Sequence, residues 1–379
     1  MPRCLIIMHS VGGGAEKVAL DLARRLDARR FQVILCCTRH LPSLAGQVPP
    51  ALSFSMPERG GLMAALRHAA RIRNLVRASD VVLGSLELQS IFWAGLSAPG
   101  RAVGWLHKDV GGYLARKGKF YRRLYGGMLG WALRRCHSVV CVSRGILESS
   151  AKLWPDLRPR LRVLWNPLDA AAIQRQALAP LPESLNDCFR KPVVLGVGRL
   201  ERQKAFELLI EAHAILKRRG VEHNLCIAGE GSQRAFLEGL GRHYGVSESL
   251  FLPGFLNPYP LMARAAALAA SSVFEGLPLV LVEALSLGLP VVSTNCPSGP
   301  GELLEQGRYG TLTPVGDAAA LADALQAALL QPPDSAAREA GQRRAADFAP
   351  DRTVDAWQKL LEEAAGRGGC GGKKKNYYN

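Results

Sequence analysis

Two glutamates stand out among the residues that could do chemistry. Glu275 and Glu283 lie eight positions apart in LAASSVFEGLPLVLVEALSLGLPVVST, residues 268–294. Glu283 interrupts an almost wholly apolar run, and burying an unpaired charge is costly. Such a carboxylate either bonds a neighbouring backbone or basic side chain, or accepts hydrogen bonds from a ligand's hydroxyls. Arg199 and Lys204 share one loop after another apolar run, where cations are either solvated or part of a site. His107 follows a third apolar run and precedes Lys108 and Asp109, a place that suits a structural histidine and a cleft histidine equally. The run Gly12-Gly13-Gly14 follows the first apolar stretch. It either allows close strand–helix packing or presents backbone N–H groups to a phosphate.

Each of these residues needs an element that delivers it to a strand end. Residues 267–273 suit a buried parallel strand. Glu275 and Gly276 make the turn, Pro278 suits a first helical position, and 279–287 reads as a helix closed by Gly288 and Pro290. Residues 291–294 complete a βαβ unit. Open α/β sheets bind ligands outside the carboxyl ends of their strands, which is where Glu275 lies. The pattern recurs along the chain. Strands are expected at 5–8, 33–37, 81–84, 102–106, 138–143 and 162–166, the last ending at Asn166-Pro167. Helices are expected at 15–26 and 62–76. A second series begins at 193–197, passes Gly198 to Lys204 into a helix at 206–219, and continues through 225–228 to Gly229-Glu230-Gly231. Residues 250–252 lead to Pro253-Gly254-Phe255.

Length sets the organisation. At 379 residues, two domains are expected, and 48% hydrophobic residues suffice for two cores. The first domain spans 1–168. Residues 169–191 lack a strong period, contain Pro180 and Pro182, and read as a linker. The second domain spans 192–350, a terminal helix spans 351–365, and the glycine- and lysine-rich tail 366–379 is expected to be disordered. Nine cysteines without CxxC pairs argue against a disulfide framework or a zinc site and favour a reducing compartment. No apolar stretch reaches the length of a membrane-spanning helix, and the first residues are too weakly apolar for a secretory signal.

The ordered set Gly12–Glu16, His107, Asn166-Pro167, Arg199 with Lys204, Gly229-Glu230-Gly231 and Glu275 with Glu283 resembles the family-4 retaining glycosyltransferases. The resemblance spans about residues 3 to 364. It implies an α/β fold, two Rossmann-like doubly wound domains facing across a cleft, the GT-B arrangement. It implies that the terminal helix returns to the first domain. Arg199 and Lys204 would bind the diphosphate of a nucleotide sugar, and Glu283 its ribose. Glu275 and His107 would lie near the donor sugar. Gly13, Gly14, Asn166, Glu230, Gly254, Phe255, Gly276, Leu277, Pro278 and Leu279 would complete the donor side. In that family the lysine is usually followed by glycine; here Ala205 follows Lys204. No D-x-D triplet occurs, so a metal-independent reaction with no cofactor is expected.

Charge suggests a further partner. The net charge is +16, and residues 1–170 carry all of it, with 26 Lys and Arg against 10 Asp and Glu. The first half therefore faces something anionic. Residues 113–135 interleave Arg116, Lys117, Lys119, Arg122, Arg123, Arg134 and Arg135 with aromatic and aliphatic side chains. They suit either a solvated helix face or a membrane interface. Combined with the resemblance, this places the protein on the inner face of a bacterial cytoplasmic membrane, with a UDP-sugar donor, a lipid-linked glycan acceptor and no nucleic acid partner. A glycoside hydrolase using the two glutamates would leave the Arg–Lys loop idle. A nicotinamide-dependent enzyme lacks an acid for the ribose, and a non-enzymatic binder of anionic polymers leaves Glu283 unexplained.

Overall fold

The computed structural model describes residues 1–8, 14–38, 53–55, 62–85 and 88–366. The chain divides into two units, Met1–Pro167 joined by the segment from Pro350, and Leu168–Ala349.

The first unit is built on seven parallel strands: β1 Arg3–Met8, β2 Gln32–Cys37, β3 Ser53–Ser55, β4 Val81–Ser85, β5 Ala102–Leu106, β6 Ser138–Cys141 and β7 Leu161–Val163. Their order is β3-β2-β1-β4-β5-β6-β7. Parallel neighbours require crossovers, so helices cover both sheet faces and the strands read as continuous apolar runs. In β1, Cys4 to Met8 are all fully buried. The helix Pro350–Ala364 packs on this unit. Its Trp357 ring meets Trp105 of β5 with centroids 4.5 Å apart, and Arg30 grips Glu362 through two bonds of 2.8 and 2.7 Å.

The second unit repeats the plan with six parallel strands: β8 Val193–Val197, β9 Asn224–Ala228, β10 Leu250–Gly254, β11 Ala267–Ala270, β12 Val291–Thr294 and β13 Thr311–Thr313. Their order is β10-β9-β8-β11-β12-β13. The chain winds outward from β8 in one direction and from β11 in the other. The crevice outside the carboxyl ends of these two strands is the topological switch point, where doubly wound sheets bind ligands.

Several stretches differ from the sequence reading, including the strands expected at 138–143 and 162–166, which end at Cys141 and Val163. Residues 169–191 belong to the second unit's packed structure. Asp169 caps the helix Ala170–Ala177, accepting from the Ala172 amide at 2.8 Å. Ile173 and Ala177 of that helix are buried, and the Cys188 carbonyl accepts from Asn224 Nδ2 at 2.8 Å. An eight-residue helix is too short to display a period. Residues 113–135 form two helices, Val110–Ala115 and Lys119–Arg134, separated at Gly118. Gly126 and Gly130 sit on the buried face of the longer one, where a Cβ at 130 would strike the Trp154 indole. Strand β11 ends at Ala270 rather than at 273; beyond it Ser271 bonds the Lys204 carbonyl and Ser272 the Glu275 carboxylate.

Candidate functional site

The loops leaving β8 and β11 meet at the switch point of the second unit. Lys204 Nζ lies 2.6 Å from Glu275 Oε1, with both side chains largely buried. The same oxygen accepts from Ser272 Oγ at 2.7 Å. Backbone-directed bonds tie the two loops together. Ser271 Oγ donates to the Lys204 carbonyl at 2.8 Å, the Val273 amide to the Gln203 carbonyl at 3.0 Å, and Gln203 Nε2 to the Phe274 carbonyl at 2.9 Å. Sequence spacing placed Lys204 and Glu275 in separate motifs; the fold makes them partners.

Glycines bring these loops close. Gly198 has φ 154°, and a Cβ there would stand 3.0 Å from Lys204 Cε. The lysine stem therefore lies across the bare backbone of Gly198. A Cβ at Gly229 would overlap the Gly198 carbonyl oxygen, and one at Gly231 would overlap the Leu200 carbonyl. The Gly229 amide donates to the Gly254 carbonyl at 2.9 Å, and the Leu200 amide to the Glu230 carbonyl at 2.8 Å. Three strand ends are thus stitched edge to edge. Ala205, in place of the family's usual glycine, still adopts the left-handed conformation at φ 44°, ψ 46°. A residue with a Cβ is strained in that region.

The remaining second-unit residues lie along the same edge. Arg199 is exposed, and its side chain makes no hydrogen bond or ion pair among the described residues. The Glu230 carboxylate is exposed and pairs with Arg234 at 3.2 Å. Gly254 has φ 86°, and a Cβ there would stand 2.7 Å from Glu230 Oε1. Phe255 is 73% exposed. Gly276, Leu277 and Pro278 lead into the helix Leu279–Ser286, whose start no side chain caps. Its first N–H groups and its dipole therefore favour an anion there. Glu283, within this helix, is half-buried rather than enclosed, and Tyr259 Oη donates to its Oε1 at 3.4 Å.

In the first unit, His107 stands just beyond β5. Its ring packs on Trp105 with centroids 4.3 Å apart, and Nε2 is 3.3 Å from Ser85 Oγ at the end of β4. Part of the side chain reaches the surface, yet desolvation of the ring pushes its pKa down to about 3. The imidazole is therefore neutral at physiological pH. Asp109 is structural. It caps the helix Val110–Ala115 at the Gly112 amide, 3.0 Å away, and accepts from Ser149. Asn166 is 4% exposed, and its Oδ1 has no hydrogen-bond partner among the described residues. Gly14 opens the helix Gly14–Arg25, while Gly13 lies outside the described residues.

Sequence reasoning passed over Ser271, Ser272, Gln203, Thr294 and Tyr259. Two adjacent hydroxyls between an apolar strand and an acid were the available signal for the first pair.

Comparison with known proteins decides the family. A model described as Glycosyltransferase Family 4 matches residues 12–172, and one described as Glycosyl transferases group 1 matches residues 185–345. The chain carries the domains of the family 4 and group 1 glycosyltransferases. Over 174 residues this chain is 36% identical to the N-acetylgalactosamine-N,N'-diacetylbacillosaminyl-diphospho-undecaprenol 4-alpha-N-acetylgalactosaminyltransferase of Campylobacter jejuni, covering 46% of this chain and 45% of that relative. The chain spans about half the length of the curated relatives it matches. Its fold is GT-B, with two Rossmann-like domains. Anabaena HepE, solved in complex with UDP and glucose, superposes with a TM-score of 0.74 at 20% identity, covering 97% of this chain and 100% of that one. WaaG, a glycosyltransferase involved in lipopolysaccharide biosynthesis, superposes at 0.70 and 20% identity, with the same coverage.

Proposed function

We propose that this family-4 glycosyltransferase transfers a hexose or N-acetylhexosamine, with retention, from a UDP-sugar to a lipid-linked saccharide. The setting is bacterial lipopolysaccharide or related surface-polysaccharide assembly. The observation that carries the reading is the second-unit switch point: Lys204 paired with Glu275, Arg199 on the same loop as Lys204 and exposed, and an uncapped helix start on the same loop cluster. The relatives add support. HepE was solved with UDP and glucose, and the C. jejuni enzyme is named for a diphospho-undecaprenol-linked acceptor.

The proposed chemistry follows from charge. As the nucleoside diphosphate departs, negative charge grows on its β-phosphate while the sugar becomes oxocarbenium-like. Arg199, Lys204 and the amides opening the helix Leu279–Ser286 oppose that charge, and no metal ion is needed. One such contact is worth about 3 kcal/mol in the transition state. The acceptor hydroxyl attacks the face that the diphosphate leaves, preserving configuration without an enzyme nucleophile. Glu283 accepts from the ribose hydroxyls. A glycoside hydrolase is less well supported, because Glu275 is committed to Lys204 and Ser272 rather than standing free as an acid.

Calorimetry with UDP tests the donor site. Glu283→Gln keeps the side chain's size and an acceptor oxygen for the Tyr259 hydroxyl 3.4 Å away, so the variant is expected to fold normally. It is expected to bind UDP at least about tenfold more weakly, since bonds to a charged acceptor are worth roughly 1.5–3 kcal/mol. Unchanged affinity would remove Glu283 from the site. A screen of UDP-hexoses, UDP-N-acetylhexosamines and GDP-mannose for slow hydrolysis identifies the donor.

The first unit carries the proposal for location. Among the described residues, no helix is long and apolar enough to cross a membrane. On the helix Lys119–Arg134, Gly126, Leu129, Gly130 and Leu133 face inward. Phe120, Leu124, Met128 and Trp131 form a stripe on the opposite side, with Phe120 82% and Leu124 53% exposed. Lys119, Arg122, Arg123 and Arg134 line a hollow of about 530 Å³ along one flank. An outward apolar stripe edged by cations fits an anionic bilayer, where each cation adds about 1 kcal/mol. Liposome flotation is expected to require anionic lipid and to weaken with salt. Changing Arg116, Lys117, Lys119, Arg122 and Arg123 to Ser should weaken it too. Equal recovery on neutral and anionic vesicles would reject electrostatic docking.

A further inference from the structure

We infer that Ser272 is a positioning residue for Glu275, and that Ser272 and Lys204 together leave Glu275 Oε2 as the oxygen that meets the ligand. The inference rests on the donor-site reading above and deepens it. Glu275 is 8% exposed, and its two oxygens are treated unequally. Oε1 accepts from Lys204 Nζ at 2.6 Å and Ser272 Oγ at 2.7 Å. Among the described residues, Oε2 has only Gln203 Nε2 at 3.5 Å, the outer limit of a hydrogen bond. Each carboxylate oxygen accepts about two good bonds. Oε1 is filled, and Oε2 keeps its capacity.

Lys204 alone would not decide which oxygen is presented. The terminal torsion of glutamate is broad, and a lysine stem can follow a rotating carboxylate. Ser272 has no such freedom. A carboxylate can only accept, so the serine hydroxyl is the donor of the 2.7 Å bond to Oε1. The serine backbone is itself anchored, because its carbonyl accepts from Thr294 Oγ1 at 2.6 Å, and Thr294 is fully buried at the end of β12. Strand β12 thus sets Ser272, and Ser272 sets the carboxylate. An oxygen with spare acceptor capacity selects a ligand group that donates. On a nucleotide sugar that group is a sugar hydroxyl or an acetamido N–H.

The test compares Ser272→Ala, Ser272→Thr, Glu275→Gln and the double variant Ser272→Ala/Glu275→Gln. Turnover of the UDP-sugar donor is measured beside UDP affinity by calorimetry. Ser272→Ala is expected to bind UDP as the wild type does but to lose about 10–100-fold in kcat/KM, the scale of a small misplacement of a reacting group. Ser272→Thr, which keeps the hydroxyl, should recover most of the loss. In the Glu275→Gln background, Ser272→Ala should add little, because the two side chains act as one unit. Wild-type kinetics for Ser272→Ala, or the same loss in both backgrounds, would overturn the inference. If the wild type binds no UDP and turns over no nucleotide sugar, the donor reading has failed. Positioning is then judged from a crystal structure of Ser272→Ala. A rotated Glu275 carboxylate supports it, and an unmoved one with Oε1 still on Lys204 overturns it.

Discussion

Replacing both Arg199 and Lys204 by alanine is expected to lower kcat/KM for the UDP-sugar by at least about 10³-fold, since each charge aimed at the developing β-phosphate is worth roughly 10²–10³. The two side chains differ in what else they do. Arg199 is exposed and makes no hydrogen bond or ion pair among the described residues, so Arg199→Ala should leave folding untouched and report on chemistry alone. Lys204 neutralises Glu275 in a largely buried pair, and removing one partner of such a pair costs about 3–5 kcal/mol. The double variant should therefore melt earlier as well as turn over slowly. Its kinetics are to be read below its own melting temperature, beside Arg199→Ala. EDTA is expected to leave the wild-type rate unchanged. Near-native turnover in the double variant would mean that other groups hold the diphosphate. Loss of wild-type activity in EDTA, restored by magnesium or manganese, would mean that a metal does.

Gly229→Ala is expected to be the most damaging single methyl in the second unit. The added Cβ would overlap the Gly198 carbonyl oxygen, and the backbone there stands at φ 158°, where L side chains are strained. Neither side can give way cheaply. The Gly198 amide bonds the Ala228 carbonyl at 3.1 Å, and the Gly229 amide bonds the Gly254 carbonyl at 2.9 Å. A clash between two tied backbones belongs with the rare substitutions that cost more than about 4 kcal/mol. For a unit of this size that is roughly 10 °C or more in Tm. Gly239→Ala is the control. It lies in the helix Arg234–His243, where the nearest atom to a new Cβ is Arg242 Nη2 at 3.9 Å. It should stabilise by up to about 1 kcal/mol. Thermal denaturation that ranks the two variants the other way would show that the loops after β8 and β9 separate freely.

Much of this protein was legible in one dimension. Fully buried parallel strands must be continuous apolar runs, so β1, β5, β8, β9 and β12 announced themselves. Glycine and proline marked the ends of the helix Leu279–Ser286, and the order of the motifs along the chain carried the family. Short or polar elements left no such trace: β3 is the three residues Ser53–Ser55, and the helix Ala170–Ala177 spans two turns. The pattern of residues also determined which ones could act, because an acid in an apolar helix and two cations on one loop are chemically conspicuous wherever they fold. It could not determine how they act on each other. Lys204 and Glu275 are 71 residues apart, and only the adjacency of β8 and β11 in the sheet order puts one against the other. Ser272 and Thr294 looked like filler, since a hydroxyl's partner is set by three-dimensional approach and not by spacing. Glu283 stood in an apolar run, and only the fold shows that this position of the helix is half-buried. The sequence by itself thus determined the chemical inventory and the strand ends that carry it. The tertiary structure decided the pairings, the direction of each hydrogen bond and the oxygen of Glu275 left open, because those depend on which strands become neighbours.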